Sequence, residues 1–273
     1  MRACDFAEHY YAHFILFGSA IQAVHFRRML LYFFEQIQPI FAIQFYNLAN
    51  LLIIDTALEE AIVALGKDGK IVAELTNKET HSHASFIQVA IANVLAEQQM
   101  TISALDAIAV TLGPGSYTGL RVGLATAKGI AYSIQKPLIG LSTLGALATR
   151  AIQLAPNAFE PPFQVFAMID ARRMEVFGAI YDPSCNPILQ EQAIVLDQAK
   201  WNSLIHQPTL CIGNGLAKTK DFTAPHPVSY LEGHYTSQVL LNMAVTKMNA
   251  AQFENIAYVD PNYLKEVYIL PSK

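Results

Sequence analysis

Along the chain, the spacing of apolar and polar positions becomes regular from residue 51 onward. The stretch LLIIDTALEEAIVALGKDGKIVAEL sets three short, β-prone apolar runs between turn residues. It predicts a strand, a short turn, a second strand, a Gly-Lys-Asp-Gly turn and a third strand. In HASFIQVAIANVLAEQQM, the residues Phe86, Ile87, Ala90, Ile91, Val94 and Leu95 recur at the three- and four-residue spacing of an amphipathic helix. LDAIAVTLG returns to strand, GPGSYTG is a loop, and the run after it predicts a second helix. KPLIGLS then reads as a strand and TLGALATRAIQL as a helix.

After the proline-containing linker LAPNAFEPPF the pattern starts again. IIDTALEEAIVAL and MIDARRMEVFGAIYD each run an apolar strand into an aspartate (Asp55, Asp170), place a glutamate five positions later (Glu60, Glu175) and continue into a second apolar strand. TLCIG leads into Gly213–Gly215 as IAVTLG leads into Gly113–Gly115, 100 residues earlier. This recurrence predicts a duplicated α/β unit, two similar subdomains each built of a mixed sheet with helices packed on it. The expected divisions are an N-terminal extension over 1–48, a first subdomain over 49–155 and a second over 156–273.

The first fifty residues follow neither period. From Tyr10 to Tyr46 they are crowded with aromatic and aliphatic side chains, yet the run Phe14–Val24 has only 11 residues and includes Ser19 and Gln22. A membrane span needs about 20 mainly apolar residues. Asp5 and Glu8 precede the apolar run, which is not the basic start of a secretory leader. His9 and His13 have the spacing of a helical metal pair, but no third ligand accompanies them, and they read as incidental.

Over its 273 residues the chain is 53% hydrophobic, ample for a buried core, and its net charge of −4 supplies no global field for nucleic acid. Any such contact needs a local patch. Cys4, Cys185 and Cys211 fit neither a disulfide framework nor a zinc site, so a reducing cytoplasm is the expected compartment.

The loop GPGSYTG raises the question of chemistry. A Walker A loop requires GxxxxGK[ST], and Gly119 is followed here by Leu120 and Arg121. Gly113, Gly115 and Gly119 give GxGxxxG rather than the dinucleotide fingerprint. No Asp or Glu lies between Ala107 and Phe159, whereas Arg121, Lys128, Lys136 and Arg150 do. Ser116 or Thr118 is the expected N-cap, and a helix start at this point can also hold an anion. Gly119, Gly123, Ala127 and Ala131 form a ridge of small residues along the second helix. Such a ridge either packs on the chain's own sheet or admits another backbone.

TLGPGSYTGLRVGLATAKGIAY…KPLIGLSTLGALA, together with LLIIDTALEEAIVAL, HSHASFIQVAI, MIDARRMEVF, GNG and DPNYLKEV, resembles the TsaB (YeaZ) family of bacterial tRNA threonylcarbamoyladenosine biosynthesis proteins over roughly residues 49 to 270. The resemblance implies an ASKHA (actin-like ATPase, RNase H-like) duplicated fold. It implies a non-catalytic paralogue of TsaD, the protein that transfers the threonylcarbamoyl group to N6 of adenosine 37 in tRNAs reading ANN codons. The chain is then expected to bind TsaD as a heterodimer, with the ATPase TsaE joining and tRNA reached through the complex. The same surface can support a homodimer when TsaD is absent.

By that resemblance the helices after His83 and near Thr118 pack against the partner. The implied interface is Phe86, Ala90, Thr118, Gly119, Arg121, Val122, Gly123, Thr126, Ala127, Ile130 and Ala131, with the small-residue ridge as its seam. Gly123→Leu is then expected to break the heterodimer while leaving the fold intact. Family members begin one or two residues before the first strand, so residues 1–47 are expected to be either a mis-assigned start or a lineage-specific appendage.

The chain also departs from the active relatives. TsaD-like enzymes use a helical HxxxH, whereas His81 and His83 are spaced as HxH. Asp55, Asp170, Gly213 and Gly215 occupy places where active ASKHA proteins handle nucleotide and magnesium, but the turn DTALEEA lacks glycine. The expectation is no catalytic residue, no metal and no intrinsic cofactor, with ATP and a metal belonging to the partners. Arg172, Arg173 and Glu175 are expected to form a surface ion network. The competing function is an ASKHA ATPase or phosphotransferase acting by itself; a protease is disfavoured because neither GxSxG nor HExxH occurs.

Overall fold

The computed structural model describes residues 49–78, 83–155, 159–160 and 162–265. The readings made on residues 1–48, including His9 and His13, and on His81 lie outside them. Three strands open the fold: β1 (Leu51–Asp55), β2 (Ala61–Lys67) and β3 (Lys70–Asn77). Helix α1 (His83–Glu97), β4 (Ala107–Gly113), α2 (Tyr117–Ile134), β5 (Leu138–Ser142) and α3 (Thr143–Leu154) follow. The second half runs β6 (Gln164–Asp170), β7 (Glu175–Tyr181), β8 (Pro187–Val195), α4 (Gln198–Leu204), β9 (Thr209–Ile212), β10 (Val228–Leu231) and α5 (Ser237–Asn249).

The duplication expected from the two hairpins extends to the whole sheet. The first sheet has the order β3-β2-β1-β4-β5, and the second, read in the same sense, β8-β7-β6-β9-β10. In each, the first three strands form an antiparallel meander and the last two add in parallel. The correspondence reaches single torsion angles. Gly113 ends β4 at φ +109° and Gly213 follows β9 at φ +112°, a conformation that favours glycine in both copies.

Alternation along β1 assigns its two faces. Leu52 and Ile54 join Val63, Leu65, Ile108 and Val110 in a core closed by Ile87, Ala90, Ile91 and Val94 of α1 and by Leu124, Ala127 and Ala131 of α2. Burying each of the larger aliphatic side chains contributes about 1.5–3 kcal/mol. Leu51, Ile53 and Asp55 face the other way, toward α5. There Gln238 Nε2 donates to Gly69 O (3.0 Å), and Ser237 Oγ donates to Glu74 Oε2 (2.9 Å). In the second sheet Phe166, Met168, Val176 and Ile180 pack around Trp201 of α4.

The two halves exchange helices. α3, in the stretch 49–155, packs chiefly on β6 and β9, whereas α5, in the stretch 156–273, packs on the first sheet. A division at 155/156 therefore follows the chain but is crossed by the packing in both directions. Among the described residues no helix is long and apolar enough to cross a membrane.

Candidate functional site

The glycine-rich loop is tied to the β1–β2 turn. Ser116 N donates to Ala57 O (2.7 Å), Thr56 Oγ1 donates to Gly119 O (2.7 Å), and Gly119 N is capped by Ser116 Oγ (3.2 Å). Ser116, rather than Thr118, is the N-cap of α2. A Cβ on Gly119 would collide with Thr56 O, and one on Gly123 with Thr56 Oγ1. Two amides of the loop, those of Ser116 and Gly119, are thus engaged by the chain's own carbonyl and hydroxyl oxygens.

This geometry corrects the reading of the small-residue ridge. Gly119, Gly123, Ala127 and Ala131 are buried against β1 and its neighbours, and Ala90 is buried with them. The ridge allows the helix to approach its own sheet closely, so these five residues offer a partner no surface. Gly123→Leu is a core substitution, and the expectation that it spares the fold is withdrawn.

Of the remaining expected interface residues, Thr118 and Arg121 are exposed, while Phe86, Val122, Thr126 and Ile130 are half-buried. The four half-buried ones share the outer face of α1 and α2 with residues outside the expected set, whereas Arg121 turns toward the Val259–Tyr263 segment. Val89 is 60% exposed and Tyr132 78%. Gly129 is exposed, with no atom within 4 Å of a Cβ added there. Gln88 Nε2 bonds Thr126 Oγ1 (3.3 Å) and ties the two helices together. The signal for this face is a second stripe of spacing four, three, four: Val122, Thr126, Gly129 and Ser133.

The two aspartates at the hairpins share one local bond and differ in everything else. Asp55 Oδ1 accepts from Ala57 N (2.9 Å), and Asp170 Oδ1 accepts from Arg172 N (2.6 Å). Asp55 is 1% exposed and also accepts from Thr111 Oγ1 (2.6 Å). Burial raises its pKa, against the opposing bonds from Thr111 and Ala57. For Asp170 burial also pushes upward, but the Lys218 ammonium and the Arg172 amide outweigh it and hold the pKa low. Lys218 Nζ lies 2.7 Å from Asp170 Oδ1 and 2.7 Å from Glu175 O.

Between the two repeats lies a cleft of about 490 Å³, lined by Ala57, Glu59, the start of α2, Asp170, Arg172 and Asn214. A nucleotide with its divalent cation needs free amides and an unneutralised carboxylate at such a place. The residues present do not fit it. Asp55 faces away from the cleft, Lys218 neutralises Asp170, and the Ser116 and Gly119 amides are bonded internally. Gly213 and Gly215 back onto Met168 and leave Asn214 to line the cleft. The expected ion network is also reassigned. Glu175 pairs with Lys265, Asp170 with Lys218, and Arg172 and Arg173 occupy the turn at positive φ. Among the described residues no three His, Cys, Asp or Glu side chains are grouped as metal ligands.

On the other flank of α2, Arg121 stacks over Tyr117, its Cζ 4.1 Å from the ring centroid, and Nε donates to Tyr263 Oη (2.8 Å). Beside it a groove of about 410 Å³ runs between α2 and the segment Val259–Tyr263. Of the other cations noted in the sequence, Lys128 lines this groove, Lys136 pairs with Asp106, and Arg150 is half-buried.

Known proteins are similar to this chain in sequence and architecture. The TsaD family, tRNA N6-adenosine threonylcarbamoyltransferase, matches residues 70–266. The tRNA threonylcarbamoyladenosine biosynthesis protein TsaB of Haemophilus influenzae is 30% identical over 238 residues, spanning 79% of this chain and 93% of that protein. TsaB of Escherichia coli is 36% identical over 141 residues, 51% of this chain and 58% of that protein. The solved structure of YeaZ from Pseudomonas aeruginosa superposes with a TM-score of 0.65 at 26% identity, covering 79% of this chain and 100% of that one. With the repeated mixed sheets described above, these likenesses establish the ASKHA-like duplicated α/β fold, and the chain belongs to the TsaB (YeaZ) family of tRNA threonylcarbamoyladenosine biosynthesis proteins.

Proposed function

We propose that the chain is a non-catalytic subunit of the complex that forms N6-threonylcarbamoyladenosine at position 37 of tRNAs reading ANN codons, and that it supports TsaD by binding it through the outer face of α1 and α2. The carrying observation is the contrast between two sites. In the inter-repeat cleft Asp170 is paired with Lys218 and the Ser116 and Gly119 amides are bonded internally, whereas the helix pair leaves Val89, Gly129 and Tyr132 open beside half-buried Phe86, Val122 and Ile130. ATP and a metal belong to the partners in this reading, TsaE joins the pair, and the work is done in the cytoplasm. Without TsaD the same face supports a homodimer.

The test is size-exclusion chromatography with light scattering on the full chain, alone and mixed with TsaD of the same organism, followed by a tRNA-modification assay. A heterodimer that modifies tRNA only when both chains are present is the expected result. Val89→Glu or Gly129→Leu should dissociate it. Activity from this chain alone, or calorimetric binding of Mg-ATP to it, would return the function to the cleft.

A further inference from the structure

Resting on that reading, we propose that the groove between α2 and the segment Val259–Tyr263 is a contact for unpaired RNA, with Tyr263 and the adjoining Tyr117 as stacking faces and Arg121 and Lys128 as phosphate partners. The two rings lie 5.0 Å apart at 34°, with the Arg121 guanidinium over both. Both tyrosines are exposed, and Tyr258, immediately before Val259, is 83% exposed. Among the described residues Arg121 and Lys128 enter no ion pair. Lys128 Nζ is instead held by the backbone oxygen of Val259 (3.0 Å). Two cations without counterions, set among exposed aromatic rings, are what a single-stranded nucleic acid meets on its binding proteins.

The wider charge distribution favours the same occupant. The stretch 107–158 carries four cations and no acid in a chain of net charge −4, so the remaining residues carry −8. Within that stretch Lys136 pairs with Asp106 and Arg150 is half-buried, so Arg121 and Lys128 are the cations it offers to anionic RNA. Among the described residues Asp260 is the single acid lining the groove and supplies a probe of opposite sign. Arg121 also adjoins Val122 on the helix assigned to TsaD, so RNA lying in the groove is presented beside that partner.

The experiment is fluorescence anisotropy with a labelled anticodon stem-loop RNA, on the full chain alone and in the TsaD mixture, across a salt series. Arg121→Glu should weaken binding about ten-fold or more, and each removed cation should make the slope of log affinity against log salt shallower by about one. Tyr263→Ala should weaken binding several-fold while Tyr263→Phe, which keeps the ring, should not. Asp260→Asn should tighten it, and Lys136→Ala, outside the groove, should leave it unchanged. Wild-type affinity in both Arg121→Glu and Tyr263→Ala overturns the proposal, as does an absence of RNA binding by the wild-type chain in either setting. Loss of TsaD binding in Arg121→Glu with RNA affinity intact overturns it too, and gives the groove to a protein. A heterodimer that forms with RNA affinity insensitive to the variants sinks only the groove. RNA binding that responds to them without a heterodimer sinks only the subunit reading.

Discussion

At Asp55 burial and hydrogen bonding act in opposite directions, and burial prevails. Its folded pKa lies above the ordinary carboxylate value, so the native state holds the proton more tightly than the unfolded chain. Stability is then greatest below the unfolded pKa and declines as pH rises through the window up to the folded value. Asp55→Asn keeps an acceptor for Ala57 N and Thr111 Oγ1 but does not titrate. Urea midpoints measured from about pH 4 to about pH 8 should fall relative to that variant in the wild type as pH rises. A wild-type curve parallel to the variant's would show that the carboxyl ionises without cost. Asp170 has the opposite sign. Its depressed pKa contributes stability above the unfolded value, and that contribution is lost as pH falls through the folded value. Lys218→Met should raise the Asp170 pKa toward the ordinary range by NMR titration. Its stability cost should be about 1 kcal/mol or more, because the Asp170 side chain is 46% exposed but that of Lys218 only 12%, and Lys218 Nζ also bonds Glu175 O.

At the scale of the element, α2 carries two small-residue stripes and only one is inside. Gly123→Leu drives a side chain into Thr56 and should cost about 1–3 kcal/mol or more, read as a lowered thermal midpoint. Gly129→Leu meets open space and exchanges glycine for a better helix former, so the midpoint should hold or rise while heterodimer formation is lost. If Gly129→Leu still co-elutes with TsaD, the outer face is not the docking face. The helix itself was legible, because Ser116, the loop before it and the apolar spacing are local signals. The inward stripe was not. Gly119, Gly123, Ala127, Ala131 and Val122, Thr126, Gly129, Ser133 are both spaced for one face of a helix, and only the position of Thr56 on the neighbouring turn separates them.

Across the whole molecule, the repeat was visible at its hairpins, where apolar strands end in aspartate, and it holds through both five-stranded sheets. α4, with seven residues, and β10, with four, are too short to set a period, and β8 lies beyond the matched hairpins. No expectation covered them. The segment after α5 was equally silent, yet it binds the first repeat through Glu254 N to Leu138 O (2.8 Å) and Asn262 N to Leu112 O (2.7 Å). It then reaches the second through Asn262 Nδ2 to Glu191 Oε2 (2.6 Å). Extended chain of this kind takes its course from the surfaces it crosses rather than from its own pattern.

By itself the sequence determined the order of elements in both hairpins, the duplication and the family, because turn chemistry and apolar periodicity are set by residues a few positions apart. Tertiary structure alone decided that Lys218 neutralises Asp170 from 48 residues away and that Tyr263 holds Arg121 from 142. It also decided that the glycine ridge faces β1 rather than a partner. Sheet register and helix packing bring such groups together across long loops, and neither leaves a local signature in the residues that meet.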